Sequence, residues 1–134
     1  MTANISYVEA PQVSAPQLAE LFRSSGIRRP VDDLPRLEKM LMHANLLIGA
    51  YAAERLIGIA RALTDFSYCC YLSDLAVASD YQHHGIGREL IHLIKRRVGD
   101  QSMLLLLSSP SAMEYYPRIG LDAVTNGWMI KRVG

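Results

Sequence analysis

The sequence predicts a single α/β domain built on a mixed sheet, and three observations lead there. Stretches with apolar residues at helical spacing alternate with short apolar runs of strand character, which is the pattern of a sheet covered by helices. The 134 residues match the roughly 100–200 of one domain. No repeat, low-complexity tract or linker divides them, so 1–134 reads as one unit. Half the residues are hydrophobic and a fifth are charged, a folded rather than a disordered mix. The predicted order is β-α-α-β-β-β-α-β-α-β-β.

After an N-terminal strand, Ser14, Pro16 and Gln17 form an S-x-x-Q capping box with an early proline, and Leu18, Leu21 and Phe22 supply a helical stripe. Gly26 ends that helix. Asp32 and Asp33 cap a second helix to about His43, with Leu34, Leu37 and Leu41 on one face. Leu46–Tyr51 and Leu56–Leu63 read as a hairpin around Glu54 and Arg55, and Ser67–Val77 as a third strand. Ile86, Leu90, Ile91, Ile94 and Val98 then fall at helical spacing. Lys95, Arg96 and Arg97 occupy the last turn of that helix, where cations suit its dipole, and Gly99 stops it. The nearly all-apolar Met103–Leu107 predicts a strand buried on both faces. Ser109-Pro110 opens a short helix to about Arg118, closed by Gly120. Asp122–Val124 and Trp128–Val133 flank Asn126-Gly127, which predicts a terminal hairpin.

Charge excludes some functions. A formal net charge of +1 gives no field to gather nucleic acid or an anionic membrane, so neither partner is expected. No apolar run approaches the roughly 20 residues of a spanning helix, and no secretory signal opens the chain. The only two cysteines, Cys69 and Cys70, are adjacent; neighbours in a strand point to opposite faces and do not bridge easily. A cytoplasmic protein is expected. His43, His83, His84 and His92 show no metal-ligand spacing, so no metal is expected.

The segment Leu72–Leu90 carries the chemical information: a strand, a polar loop with Gly85 and Gly87, and a helix starting inside the loop. A helix N-terminus presents unpaired N–H groups and partial positive charge, which suits an anion. Glycines there let backbone approach a phosphate closely, although two glycines in a strand-to-helix turn are also common. A Walker loop is excluded because no Lys follows Gly87. A dinucleotide fingerprint is excluded because Leu90 stands where its third glycine belongs.

Leu72-Ser73-Asp74-Leu75-Ala76-Val77, followed by Gln82-His83-His84-Gly85-Ile86-Gly87, resembles the signature of the GNAT superfamily of acyl-CoA-dependent N-acetyltransferases. Ala112-Met113-Glu114-Tyr115-Tyr116-Pro117-Arg118-Ile119-Gly120-Leu121 resembles that family's A-x-x-x-Y-x-x-x-G-F segment. The order of elements agrees over nearly the whole chain.

The resemblance implies a GNAT-like fold and acetyl-CoA as co-substrate, with its pyrophosphate on main-chain N–H groups of Gln82, His83, His84, Gly85, Ile86, Gly87 and Arg88. It implies pantetheine bonded along Leu75, Ala76 and Val77. Tyr116 aligns with the tyrosine that protonates the departing thiolate; a phenol of pKa about 10 holds its proton at neutral pH. A packed aromatic is the plainer role for such a residue, and Tyr115 is expected to pack inward. Where some relatives carry a Glu base, this chain has Ser73-Asp74, so Asp74 is the candidate base, with a structural Asp the alternative. Ser109 replaces a common Asn that bonds pantetheine; capping the following helix is its other role.

The resulting expectation is an enzyme that moves an acetyl group to a primary amine of a small molecule or peptide, by direct attack in a ternary complex. The alternative is a non-catalytic acyl-CoA-binding regulatory module on the same fold. Arg28 and Arg29 offer a pairing site for an acidic acceptor, or are simply soluble surface. A homodimer is expected from the family and from edge strands needing cover.

Overall fold

Three capping signals set helix boundaries in the computed structural model, which describes residues 4–134. At α1 (Ala15–Ser25), the Gln17 N–H donates to Ser14 Oγ at 3.2 Å and the Ser14 N–H donates to Gln17 Oε1 at 2.9 Å. This is the reciprocal capping box that the sequence announces. Gly26 closes α1 in the left-handed region at φ 82°. Asp33 caps α2 (Leu34–His43) by accepting from the Arg36 N–H at 3.2 Å.

The sheet runs in the order β1-β2-β3-β4-β5, and the first four strands, β1 (Ile5–Glu9), β2 (Leu46–Ala52), β3 (Arg55–Thr64) and β4 (Cys69–Val77), pair antiparallel with one another in that order. The last strand, β5 (Met103–Leu106), runs parallel to β4, and α3 (Ile86–Val98) makes the crossover between them. In β3, Gly58 lies against Ile86 and Leu90 of α3, whereas Arg61 reaches Met40 of α2. Residues an odd number apart in a strand face opposite sides, so α3 covers one face and α1 with α2 the other. Close approach of α3 depends on Gly58: a Cβ there would stand 3.2 Å from the Ala50 Cβ and 3.3 Å from Ile86 and Leu90. Leu18, Phe22, Leu37, Ile57, Ile59, Leu90 and Ile94 are fully buried in the resulting core. Each such side chain contributes about 1.5–3 kcal/mol. The β3–β4 turn is held by Asp65, whose Oδ1 accepts from the N–H groups of Ser67, Tyr68 and Cys69 at 2.8–3.0 Å. Those bonds, that of Tyr68 first, bring its carboxyl down to about 2.

The C-terminal third departs from expectation. The short helix is two pieces, a 3₁₀ turn at Pro110–Ala112 and then α4 (Tyr115–Arg118). Met103–Leu107 is not buried on both faces: Met103 is 55% and Leu107 58% exposed. The expected terminal hairpin is not formed, and residues 121–134 hold no strand. Asp122–Val124 offers only a short run against the usual five or six residues of a strand, and an isolated hairpin is at best marginal. Among the described residues no strand lies on the far edge of β5, and Trp128 is 98% and Ile130 100% exposed.

Candidate active site

The site begins with an irregularity in β4. Arg61 pairs with Asp74 but the next residue, Ala62, pairs with Leu72, which leaves Ser73 as an extra residue, a β-bulge. On the other edge, pairing with β5 runs from Cys69↔Met103 to Leu72↔Leu106 and stops there. From Ser73 to Val77, β4 therefore continues with β3 on one side and an open edge on the other. Leu75, Ala76 and Val77 lie on this stretch, with Ala76 buried and the other two half-buried. Open main-chain N–H and C=O groups in a row are a template for another extended chain.

The open edge leads to the start of α3. The Gln82 side chain is engaged within the protein: its Nε2 donates to the carbonyls of Val77 at 2.9 Å and Ser25 at 3.2 Å. It thereby ties the end of β4 to the end of α1. His84 Nδ1 lies 3.1 Å from the Tyr81 carbonyl, and His83 takes a left-handed backbone at φ 69°. Arg55 grips Asp80 through both carboxylate oxygens at 2.8 and 3.0 Å, and this bond holds the Asp80 carboxyl below its usual range. The Ile86 side chain is in the core, so its contribution to a ligand would be main chain. Gly85 is the N-cap at φ 80°, and no side chain caps the helix. The N–H groups of the first turn, Ile86, Gly87 and Arg88, thus lack intrahelical acceptors at the positive end of a 13-residue helix. A Cβ on Gly87 would point between the Tyr115 hydroxyl at 3.5 Å, Leu75 at 3.8 Å and Val77 at 3.9 Å. That is the space between the helix start and the open edge.

Of the two tyrosines of α4, Tyr115 departs from expectation. Tyr115 does not pack inward; it is 37% exposed and its hydroxyl reaches the α3 N-terminus. Tyr116 is the half-buried one, packed on the core and edge-to-face on Tyr115 with ring centroids 5.2 Å apart. Burial raises the pKa of both phenols. At Tyr115 the Arg88 charge and backbone N–H oppose the rise, whereas the Tyr115 phenol adds to it at Tyr116. Ser109 stands at the N-cap of the Pro110–Ala112 turn without making a cap bond; its Oγ lies 3.3 Å from Ser111 Oγ.

Asp74 requires a correction. It is fully buried, and both carboxylate oxygens are engaged: Oδ1 by Arg29 Nε at 2.5 Å, Oδ2 by Arg61 Nε. A fully buried carboxylate held between two guanidinium groups is out of reach of an incoming amine. The same arginines hold the bulge. Arg29 donates to the Ser73 carbonyl at 2.8 Å, and Arg61 to Ser73 Oγ at 3.0 Å and to the Met40 carbonyl at 3.3 Å. Arg29, read as a pairing site for an acidic acceptor or as surface, is committed to Asp74 and the bulge, and Arg61 is the site residue that the sequence reading missed. The available signal was Arg61 itself, one charge inside the apolar run Leu56–Leu63, which can only be buried with a partner.

Among the described residues, no group of three or more His, Cys, Asp or Glu gathers as a metal site. Nor is any helix there long and apolar enough to cross a membrane.

Comparison with known proteins places this geometry. The family model of the acetyltransferase (GNAT) domain matches residues 19–127. An uncharacterised N-acetyltransferase of Porphyra purpurea, ycf52, is 29% identical over 111 residues, covering 78% of this chain and 62% of the relative. The chain thus spans less than two thirds of that relative's length. Among solved structures, a probable acetyltransferase from Staphylococcus aureus superposes with a TM-score of 0.79 at 20% identity, covering 96% of this chain and all of the other. An aminoglycoside N-acetyltransferase, AAC(6')-Iy, solved in complex with CoA, superposes with a TM-score of 0.73 at 16% identity, covering 98% and 97%. At such identities the structures speak for the fold.

Proposed function

Since the chain belongs to the GNAT acetyltransferase family, we propose that it is an N-acetyltransferase that uses acetyl-CoA and a primary-amine acceptor. The observation that carries this reading is the continuity of the open β4 edge from Ser73 to Val77 with the uncapped start of α3. Together they offer a row of main-chain groups for an extended amide-bearing arm and unpaired N–H groups for a diphosphate.

The residues fit acetyl-CoA on this chain's own geometry. Gly85, Ile86 and Gly87 would hold the pyrophosphate through main-chain N–H groups, with His83, His84 and Arg88, whose N–H meets the Tyr115 hydroxyl, shaping the loop. Gly87 leaves open the gap that a side chain would narrow. Leu75, Ala76 and Val77 would hold the pantetheine through their backbone. When bound, the co-substrate supplies an acetyl group as a thioester, which an amine converts to an amide with release of a thiol.

Tyr116 is the proton donor in this reading. Its raised pKa keeps the phenol protonated across the neutral range, so a proton is available for the departing thiolate. The Tyr115 hydroxyl, beside Gly87 and Arg88, belongs to the cradle instead. Asp74 holds the bulge and is assigned no proton transfer, so the acceptor must reach the site as the neutral amine.

The test is a thiol-release assay over chemically diverse amines, paired with calorimetric titration of CoA. The reading expects CoA to bind and at least one amine class to release thiol in amounts matching N-acetylated product. CoA binding without any turnover would favour the regulatory module, and absence of CoA binding would overturn both.

A further inference from the structure

From the charge around Ser73, and resting on the acetyltransferase reading above, we infer that the acceptor bears a carboxylate beside its amine, recognised by Arg28 and Arg29. Ser73 is where β4 parts from β5, and it lies under the loop between α1 and α2. Arg29 hangs from that loop and is bound to Asp74, the Ser73 carbonyl and the Arg28 carbonyl. These contacts use three of its five N–H donors and fix the guanidinium plane. Arg61 lies beneath, its side chain 10% exposed, and spends its bonds on Asp74, Ser73 and Met40.

One carboxylate, Asp74, therefore stands against two guanidinium groups, and Arg28 adds a third, exposed and in none of the ion pairs among the described residues. The acids nearest in sequence are occupied. Asp32 pairs with Arg23 at 3.0 Å, and the Asp33 carboxylate caps α2. Arg29 and Arg61, both partly desolvated and held in place, thus outnumber Asp74 by one positive charge beside Ser73, and the exposed Arg28 adds a further cation on the same loop. A guanidinium pair of this kind favours carboxylate through charge-assisted hydrogen bonds. It disfavours a substrate whose other groups are also ammonium ions, because like charges repel most where water is scarce.

The experiment uses matched acceptors, amino acids and short peptides as free acids and as their carboxamides, together with spermidine as a polycation. KM and kcat come from thiol release, with amine pKa differences corrected to the neutral fraction. Affinity comes separately from calorimetry on the protein saturated with CoA. Free acids are expected to show KM and Kd values about ten-fold or more below their amides, the scale of a hydrogen bond to a charged group. Arg28→Gln should collapse that ratio mainly through KM, and Arg28→Lys should restore part of it. Acids that bind no better than amides, or spermidine as the preferred acceptor, would overturn the inference while leaving the acetyltransferase reading intact. If no amine releases thiol, that reading fails, and the calorimetric acid-to-amide ratio still decides whether the charge pocket selects carboxylates.

Discussion

Asp74 of β4 and Arg61 of β3 face each other across paired strands in the interior, the aspartate fully buried and the arginine nearly so. The pair does structural work at the point where the sheet opens. It holds the extra residue Ser73 in place, while Arg29 fastens the α1–α2 loop over the same carboxylate.

Removing that carboxylate should damage the fold before the chemistry. Asp74→Asn leaves the Arg61 charge in the interior without its counter-ion, a change that costs about 3–5 kcal/mol in buried pairs. Urea denaturation is expected to show a loss of that order, with the m-value unchanged. The folded fraction should keep measurable thiol release. A variant of native stability with abolished turnover would return Asp74 to the role of base.

Gly87→Ala separates folding from binding. A Cβ there meets nothing closer than 3.5 Å, and alanine in a first helical turn is favoured over glycine by about 0.5–1 kcal/mol. The thermal midpoint should therefore hold or rise slightly. CoA affinity should fall by about ten-fold, because the added methyl points between the helix start and the edge of β4. Differential scanning calorimetry and titration of CoA read the two effects independently.

Much of this geometry was legible in the residues, and the remainder fails for identifiable reasons. Ser14, Gln17, Gly26 and Asp33 act locally, so their caps could be read within a few positions of chain. The open edge after Leu72 follows from a motif that spans one strand, one loop and one helix. The Asp74–Arg61–Arg29 cluster joins residues up to 45 positions apart, and no local pattern tells which cation meets which acid. The outward turn of Tyr115 depends on how a four-residue helix rotates, and a hundred-degree step between neighbours is beyond what spacing in so short an element can fix. The terminal hairpin was read from Asn126-Gly127, but a turn signal states how two strands would connect, not whether a third strand is available to hold them.

Tyr116 and the pH profile can be tested together. Tyr116→Phe should lower kcat by about 100-fold, the lower range of general acid catalysis, with CoA affinity changed little. In the parent protein kcat/KM should climb about ten-fold per pH unit below the acceptor's amine pKa, because only the neutral amine reacts and Asp74 is not available to deprotonate it. Burial raises the Tyr116 pKa above its ordinary 10, so the phenol gives up its proton later than a free tyrosine and the decline at high pH should begin above 10. The sign is fixed: a lowered pKa would have placed that decline below 10. Tyr116→Phe should lose the alkaline limb and keep the rising one. A profile that plateaus near neutrality would mean a side-chain base operates.

Trp128 is the only tryptophan in the chain, so its fluorescence reports on residues 121–134 alone. With the indole 98% exposed and neighbouring Ile130 and Val133 bare of contacts with the core, emission should be red-shifted like that of a free indole and readily quenched by iodide. Trp128→Ser should change stability by less than about 0.5 kcal/mol, as for other surface positions without packing. The open edge of β5 supplies the contrary possibility. If this segment added itself to that edge, from the same chain or a second copy, apolar surface around Met103 and Leu107 would be covered and the indole would leave water. Blue-shifted emission independent of protein concentration would assign the pairing to the same chain. A blue shift that grows with concentration, alongside a doubled mass in sedimentation, would assign it to a dimer.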